Sequence, residues 1–277
     1  MRDLEYTYLK ARIKRLTGVD LGSYREQQMR RRLSAFVSRT SAPNVFAYCR
    51  MIEHDSGLLN DLRSFLTIKV SEFFRDLLQF EQLKTTVLPR LLAENPCLNI
   101  WSTGCSIGGE PYSLAIILNG LYPYRNHRIL ATDIDDTSLM RARAGGPYRS
   151  AEVKNVPESL LQTCFSNREG SYWVSDKIRR MVEFRKHDLL CDPFEEGFDL
   201  IACRNVAIYF TDEARLNLNC RFHKSLRDGG ILFVGGTETI MNARAIGFTT
   251  LDHCFYVKQS EASQSQHGLR KIAVSVS

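Results

Sequence analysis

The 277-residue sequence has no apolar run approaching the roughly eighteen residues that a helix needs to cross a bilayer. Its first 16 residues are charged and amphipathic, with no apolar core of the kind a secretion signal carries. Cysteine pairing is missing too. The eight cysteines stand singly, with no C-x-x-C pair and no histidine at metal-ligand spacing, which argues against a disulfide framework and against a zinc or iron site. There is no internal repeat and no convincing catalytic triad. These absences leave a cytoplasmic protein with free thiols, no metal and no membrane insertion. Its 44% hydrophobic and 25% charged residues are ordinary globular values, and the length suits one large domain or a small one plus a large one.

The most informative stretch that is present is Leu98-Asn-Ile-Trp-Ser-Thr-Gly-Cys-Ser-Ile-Gly-Gly-Glu-Pro-Tyr-Ser113. An apolar run ends in a glycine-rich turn, and a helix starts at Glu110-Pro111, where proline's missing N–H costs nothing. Glycines let backbone approach a ligand, and the new helix offers unpaired N–H groups. Taken alone, such a turn is equally a tight strand–helix connection. The next segment, His127-Arg-Ile-Leu-Ala-Thr-Asp-Ile-Asp135, reads as a second buried strand ending in carboxylates. In nucleotide-binding α/β folds an acid at that position accepts hydrogen bonds from ribose hydroxyls. Asp133 is the candidate, whereas Asp135 suits the cap of a helix over 136–144. A third segment, Gly197-Phe-Asp-Leu-Ile-Ala-Cys-Arg-Asn-Val-Ala-Ile-Tyr-Phe210, holds a central strand from Asp199 to Cys203, with Arg204-Asn205 emerging at the sheet's carboxyl edge.

Charge is concentrated near the N-terminus. Residues 10–39 hold nine basic residues against Asp20 and Glu26, a balance of +7 in a chain whose total is +6, so the rest sums to −1. A helix from Ser23 to Arg39 places Met29, Leu33, Phe36 and Val37 on one apolar face. Arg25, Arg32 and Arg39 recur every seven residues along its flank. With Arg30 and Arg31, they suit an acidic partner surface. Nucleic acid fits less well, because the aromatic–basic interleaving of a base-stacking surface is absent.

Together these segments resemble the CheR family, S-adenosylmethionine-dependent methyltransferases that esterify glutamates of bacterial chemotaxis receptors. The family's Gly-Cys-Ser loop, its Asp-Ile-Asp strand end and its Cys-Arg-Asn-Val-x-Ile-Tyr-Phe segment are all present. So is a segment ahead of the core, Leu66-Thr-Ile-Lys-Val-Ser-Glu-Phe-Phe-Arg-Asp76. The likeness runs in order from about Tyr8 to Lys258. It implies that Lys69, Ser71, Arg75, Gly104, Glu110, Asp133, Asp188, Leu189, Asn205 and Val206 line the S-adenosylmethionine site, from which S-adenosylhomocysteine leaves. It implies that Glu110 pairs with the cofactor's amino group and Asp133 with its ribose, that Asp188-Leu189 flank the adenine, and that Arg75 lies at the reaction centre. Arg75 would clamp a carboxylate with its planar fork. The basic helix is implied to dock on acidic receptor bundles, as a monomer acting on the receptors' cytoplasmic domains with no nucleic acid involved. Lys69 stands where Asn is usual, Gly109 where Glu is usual, and Asp188 where Asn is common. The alternatives are a methyltransferase for another protein or nucleic acid, and a cofactor-binding signalling module without turnover.

The expected organisation is α/β. A helical, basic docking domain spans residues 1–76, with helices near 4–16, 23–39, 43–54 and 58–66. A mostly parallel, Rossmann-like methyltransferase sheet spans 77–259, interrupted at 148–181 by a small antiparallel β subdomain. There, a turn at 166–171 looks shorter than in family members that tether to a receptor tail. Asp228-Gly229-Gly230 reads as the stop of a helix from Asp212 to Arg227, and 248–258 as an antiparallel closing element. The Ser- and Gln-rich tail over 260–277 reads as disordered.

Overall fold

The computed structural model describes residues 1–66 and 71–260. The chain forms two compact units, one of residues 1–70 with 206–215 and the other of residues 71–205 with the remainder from 216. The first unit is helical, with helices Asp3–Thr17, Glu26–Val37, Val45–His54 and Ser56–Leu66. Gly18, with φ 80°, ends the first by donating its N–H to the Lys14 carbonyl, and Asn44 caps the third through Ala47 N. Tyr6, Leu9, Ile13, Met29, Leu33, Val37, Tyr48 and Ile52 are buried, so the apolar spacing of each helix becomes one core. The second helix is shorter than its sequence pattern. Tyr24 forms an antiparallel bridge to Phe210, and Arg25 N donates to the Tyr209 carbonyl at 3.0 Å. The chain is therefore extended through Arg25, and the helix begins only at Glu26. It ends at Val37, with Arg39 N turned onto the Phe36 carbonyl.

The second unit is built on a seven-stranded sheet in the order β5-β2-β1-β6-β7-β9-β8. The strands are β1 (Asn99–Thr103), β2 (Arg128–Asp133), β5 (Val182–Lys186), β6 (Phe198–Cys203), β7 (Leu226–Val234), β8 (Phe248–Asp252) and β9 (Phe255–Lys258). The first five in spatial order are parallel, and β9 is antiparallel to both β7 and β8. Strand order runs outward in both directions from the β1/β6 pair, so the carboxyl ends of β1 and β6 flank a topological switch point, where α/β sheets bind ligands. All six residues of β6 are buried. Its one acid, Asp199, accepts from Asn99 N at 2.7 Å and from Arg227 Nε at 2.5 Å. The separate hairpin of β3 (Phe165–Arg168) and β4 (Ser171–Val174) turns over Glu169-Gly170, both at positive φ.

The sequence pattern misplaces one boundary here. The helix from Asp212 ends at Ser225 rather than Arg227, and Leu226 already pairs with Phe198 in β7. Asp228-Gly229-Gly230 is thus an irregularity within a strand. A Cβ on Gly230 would lie 2.8 Å from the Arg227 carbonyl oxygen and 2.9 Å from that of Phe198, so glycine is needed for strand contact, not for stopping a helix. Residues 71–76, expected with the helical domain, group with the sheet unit because Phe73 N donates to the Glu152 carbonyl and Phe74 N to Ser113 Oγ, both at 2.9 Å. The tail beyond residue 260 lies outside the described residues.

Candidate functional site

The glycine-rich loop is fixed at several points. Gly104, Ser106 and Gly108 have positive φ values of 61°, 49° and 91°. Cys105 N donates to the Thr132 carbonyl, Ser106 N to Asp133 Oδ2 at 2.7 Å, and the buried Tyr148 hydroxyl to the Ile107 carbonyl at 2.7 Å. The helix Gly109–Leu121 follows. A Cβ on Gly109 would lie 2.9 Å from both the carbonyl carbon and oxygen of Glu72, so the loop packs against the Ser71–Asp76 segment as only glycine allows.

Asp133 ends β2 as a buried carboxylate. Its two oxygens each accept one backbone N–H, from Ser106 and from Asp135 at 2.9 Å. Burial pushes its carboxyl pKa up, and these N–H groups act the other way. Each oxygen keeps a further lone pair for a hydroxyl donor. Asp135 caps the next helix, accepting from Ser138 N at 3.0 Å. Two groups hydrogen-bonded to Asp133 through their backbone carry unsatisfied polar atoms: Ser106 Oγ and His187 Nδ1 are buried with no hydrogen-bond partner. Buried polar atoms are normally satisfied. A polar ligand on this edge would satisfy them, and a ribose-bearing cofactor fits that set. Beyond His187, Asp188 Oδ1 accepts from Leu190 N at 2.8 Å, and Leu189 is buried with its carbonyl held by Arg221.

At the end of β6, Arg204 is buried between the rings of Phe80 and Phe233, with its guanidinium carbon 5.0 and 4.6 Å from their centroids. Its Nη2 donates to the Arg75 carbonyl at 2.7 Å, to Gln79 Oε1 at 2.9 Å and to Asp76 Oδ2 at 3.0 Å, and its Nη1 to Glu110 Oε2 at 3.4 Å. Glu110 Oε1 accepts from Ser102 Oγ at 2.7 Å. Burial pushes the Glu110 carboxyl pKa up, and the Arg204 charge opposes it. Asn205 adopts the left-handed conformation at φ 60°, held by Glu238 Oε2, which accepts from Asn205 N at 2.7 Å and Gly235 N at 2.8 Å.

This edge, with its carboxylates and glycine loop, belongs to a known family. Residues 4–67 match the family described as CheR methyltransferase, all-alpha domain, and residues 69–254 match CheR methyltransferase, SAM binding domain. The chain belongs to the CheR methyltransferase family. A chemotaxis protein methyltransferase of Listeria monocytogenes is 41% identical over 259 residues, covering 92% of this chain and 98% of its own length. Chemotaxis protein methyltransferase 1 of Pseudomonas aeruginosa is 31% identical over 249 residues, covering 86% and 91%. The chain is an S-adenosylmethionine-dependent methyltransferase with a Rossmann-like sheet and an all-helical N-terminal region.

Of the residues that the resemblance to the CheR family implies, Ser71, Arg75, Gly104, Glu110, Asp133, Asp188, Leu189 and Asn205 all lie in the sheet unit, at the carboxyl ends of its strands or on the segment packed against the glycine loop. Val206 begins the stretch that groups with the helical unit, and Lys69 lies outside the described residues. The regular arginine stripe is corrected. Arg25 and Arg39 flank the helix rather than ride on it. Arg32 is half-buried, donating to the Phe65 carbonyl at 2.8 Å and stacking on that ring, and Arg30 is tied to Asp3 and the Met1 carbonyl. Arg31 and Arg39 are exposed, as is Arg25 beside Asp212. The sequence places Arg204 at the sheet's carboxyl edge but does not reveal its partners, and Glu238 went unnoticed. For Glu238 the available signal was an acid three residues beyond Gly235, just after a core strand.

Proposed function

We propose that this chain transfers the methyl group of S-adenosylmethionine to glutamate side-chain carboxylates on the cytoplasmic domains of bacterial chemotaxis receptors. The observation that carries the reading is the strand-end edge itself, with Asp133, Ser106 and His187 together at one end and Glu110 and Arg204 at the other. In this reading Asp133 holds the ribose hydroxyls, Asp188 and Leu189 flank the adenine, and Glu110 receives the amino group. Ser71 and Asn205 complete the lining. Bound S-adenosylmethionine supplies a methyl already activated on its sulfonium.

An ionised glutamate is a sufficient nucleophile for in-line displacement, so the protein's task is orientation and exclusion of water rather than proton transfer. Orientation alone can be worth roughly 7–11 kcal/mol of barrier. Arg75 orients the accepting carboxylate through its planar fork. The exposed Arg25, Arg31 and Arg39 attract the acidic receptor surface. The tight two-residue turn between β3 and β4 favours recognition without a receptor-tail tether.

The test is transfer of labelled methyl from S-adenosylmethionine to receptor cytoplasmic fragments. Base-labile label on the fragments supports the reading. Label in RNA instead, or tight cofactor binding with no transfer to any fragment, overturns it.

A further inference from the structure

We propose that Arg204 is a positioning residue for methyl transfer, fixing the Arg75 backbone and the Glu110 carboxylate relative to each other across the cofactor site. The inference rests on the cofactor-site reading above. Its geometric basis is that one guanidinium reaches both elements. Nη2 holds the Arg75 carbonyl, Asp76 and Gln79 at 2.7–3.0 Å, and Nη1 faces Glu110 Oε2 at 3.4 Å. Arg204 follows directly on β6, whose six residues are all buried, and two aromatic rings enclose its guanidinium. It is therefore a stiff reference point.

The segment it holds needs support. Phe74 and Asp76, on either side of Arg75, have φ values of 51° and 62°, a region that side chains other than glycine rarely adopt. Such backbone persists only where surrounding contacts over-determine it. The Arg204 bonds to Arg75 O and Asp76 Oδ2 supply that determination on the carboxyl side, and Phe74 N on Ser113 Oγ supplies it on the amino side. A lysine would keep the charge but could not bridge both elements, because it lacks the planar fork.

The second consequence concerns charge. Glu110 must be ionised to accept an ammonium group. Burial works against its ionisation, as does nearby Glu238, while Arg204 and the Ser102 hydroxyl favour it. The other titratable groups that sense Glu110 are the Cys105 and Cys203 thiols, which burial keeps neutral. Removing the Arg204 charge therefore raises the Glu110 pKa and makes cofactor affinity fall as pH falls.

The full chain tests this with S-adenosylhomocysteine as the probe, by calorimetry from about pH 8 to about pH 6, and with methyl transfer to receptor fragments. Arg204→Lys should keep probe affinity within about threefold while turnover drops about tenfold or more, since a charge remains but the segment is released. Arg204→Met should bind more weakly at the acidic end than at the basic end, by a larger factor than the unaltered protein does, and adding Glu110→Gln should abolish that dependence. If Arg204→Met does not fold, Arg204→Lys decides. Unchanged turnover in Arg204→Lys overturns the inference, as does an Arg204→Met loss that is equal at every pH and accompanied only by a lower melting temperature. Failure of the unaltered protein to bind the probe overturns the cofactor-site reading and this inference with it.

Discussion

Two arginine-bearing regions of this chain hold their charge in opposite ways. At the carboxyl edge of the sheet, Arg204 is enclosed and its guanidinium bonds to Arg75, Asp76, Gln79 and Glu110, groups that shape the site. On and around the helix Glu26–Val37, Arg31 and Arg39 lie in solvent, and Arg25 makes only a 3.5 Å approach to Asp212 besides its backbone contact. A buried charge acts over a few ångströms, where salt does not reach, and removing its partner is expensive. An exposed charge acts at longer range and is screened beyond about 8 Å at physiological ionic strength. Chemistry is therefore expected to fail locally and sharply at the edge, and docking to weaken gradually along the helix.

The largest effect should come from Asp133→Ala. It strips the acceptor from Ser106 N and Asp135 N together, and each buried donor left unsatisfied costs about 1–3 kcal/mol. Denaturant unfolding should show that loss, and S-adenosylhomocysteine binding should weaken by about a hundredfold. The nearby Asp136 sets the contrast. It is exposed and pairs with Lys186, so Asp136→Ala should cost under about 1 kcal/mol. Equal losses for the two variants would erase the distinction between edge and surface.

Next in size is Arg75→Lys. If its fork orients the reacting carboxylate, turnover should fall by about a hundredfold, the scale of a 1 Å misplacement, while S-adenosylhomocysteine affinity changes little. Equal loss in both measurements would assign Arg75 to cofactor binding instead.

The helical region holds its own version of the contrast. Arg32→Glu removes a donor from the Phe65 carbonyl and places a carboxylate against that ring, so the protein should lose about 2–4 kcal/mol of unfolding free energy. Arg31→Glu, one residue away, should stay within about 0.5 kcal/mol. Thermal melts of the two variants separate the arginine that builds the helical unit from one that is free to meet a partner.

What is legible in the sequence depends on the scale of the signal. Strand–turn–helix order, the acid ending β2 and the helix cap at Asp135 are local patterns set by hydrophobic period and turn chemistry, and they were legible. The start of the basic helix was not, because Tyr24 pairs with Phe210, a partner 186 residues away. The glycines at 229 and 230 misled for the same reason, since what Gly230 accommodates is the carbonyl of Phe198, 32 residues away, rather than the end of a helix. The role of Arg204 was invisible because its acceptors come from positions 75–79 and 110, which only the folded sheet edge brings together. Gly109 looked like a departure from the family pattern, and contact with Glu72 explains why no side chain stands there.

The smallest expected effect tests the exposed end of the comparison. Reversing Arg31 and Arg39 to Glu together changes the charge of the docking region by four units. Neither side chain bonds to another among the described residues, so folding and S-adenosylhomocysteine affinity should hold. Methyl transfer to receptor fragments should slow by several-fold at low salt, because attraction to an acidic surface raises the encounter rate. The gap between variant and unaltered protein should then close as salt is raised toward about 1 M, where the screening length is about 3 Å. A defect that persists unchanged at high salt would mean that these arginines make short-range contacts. No defect at any salt would leave them a solvated surface, and would move recognition of the receptor elsewhere on the chain.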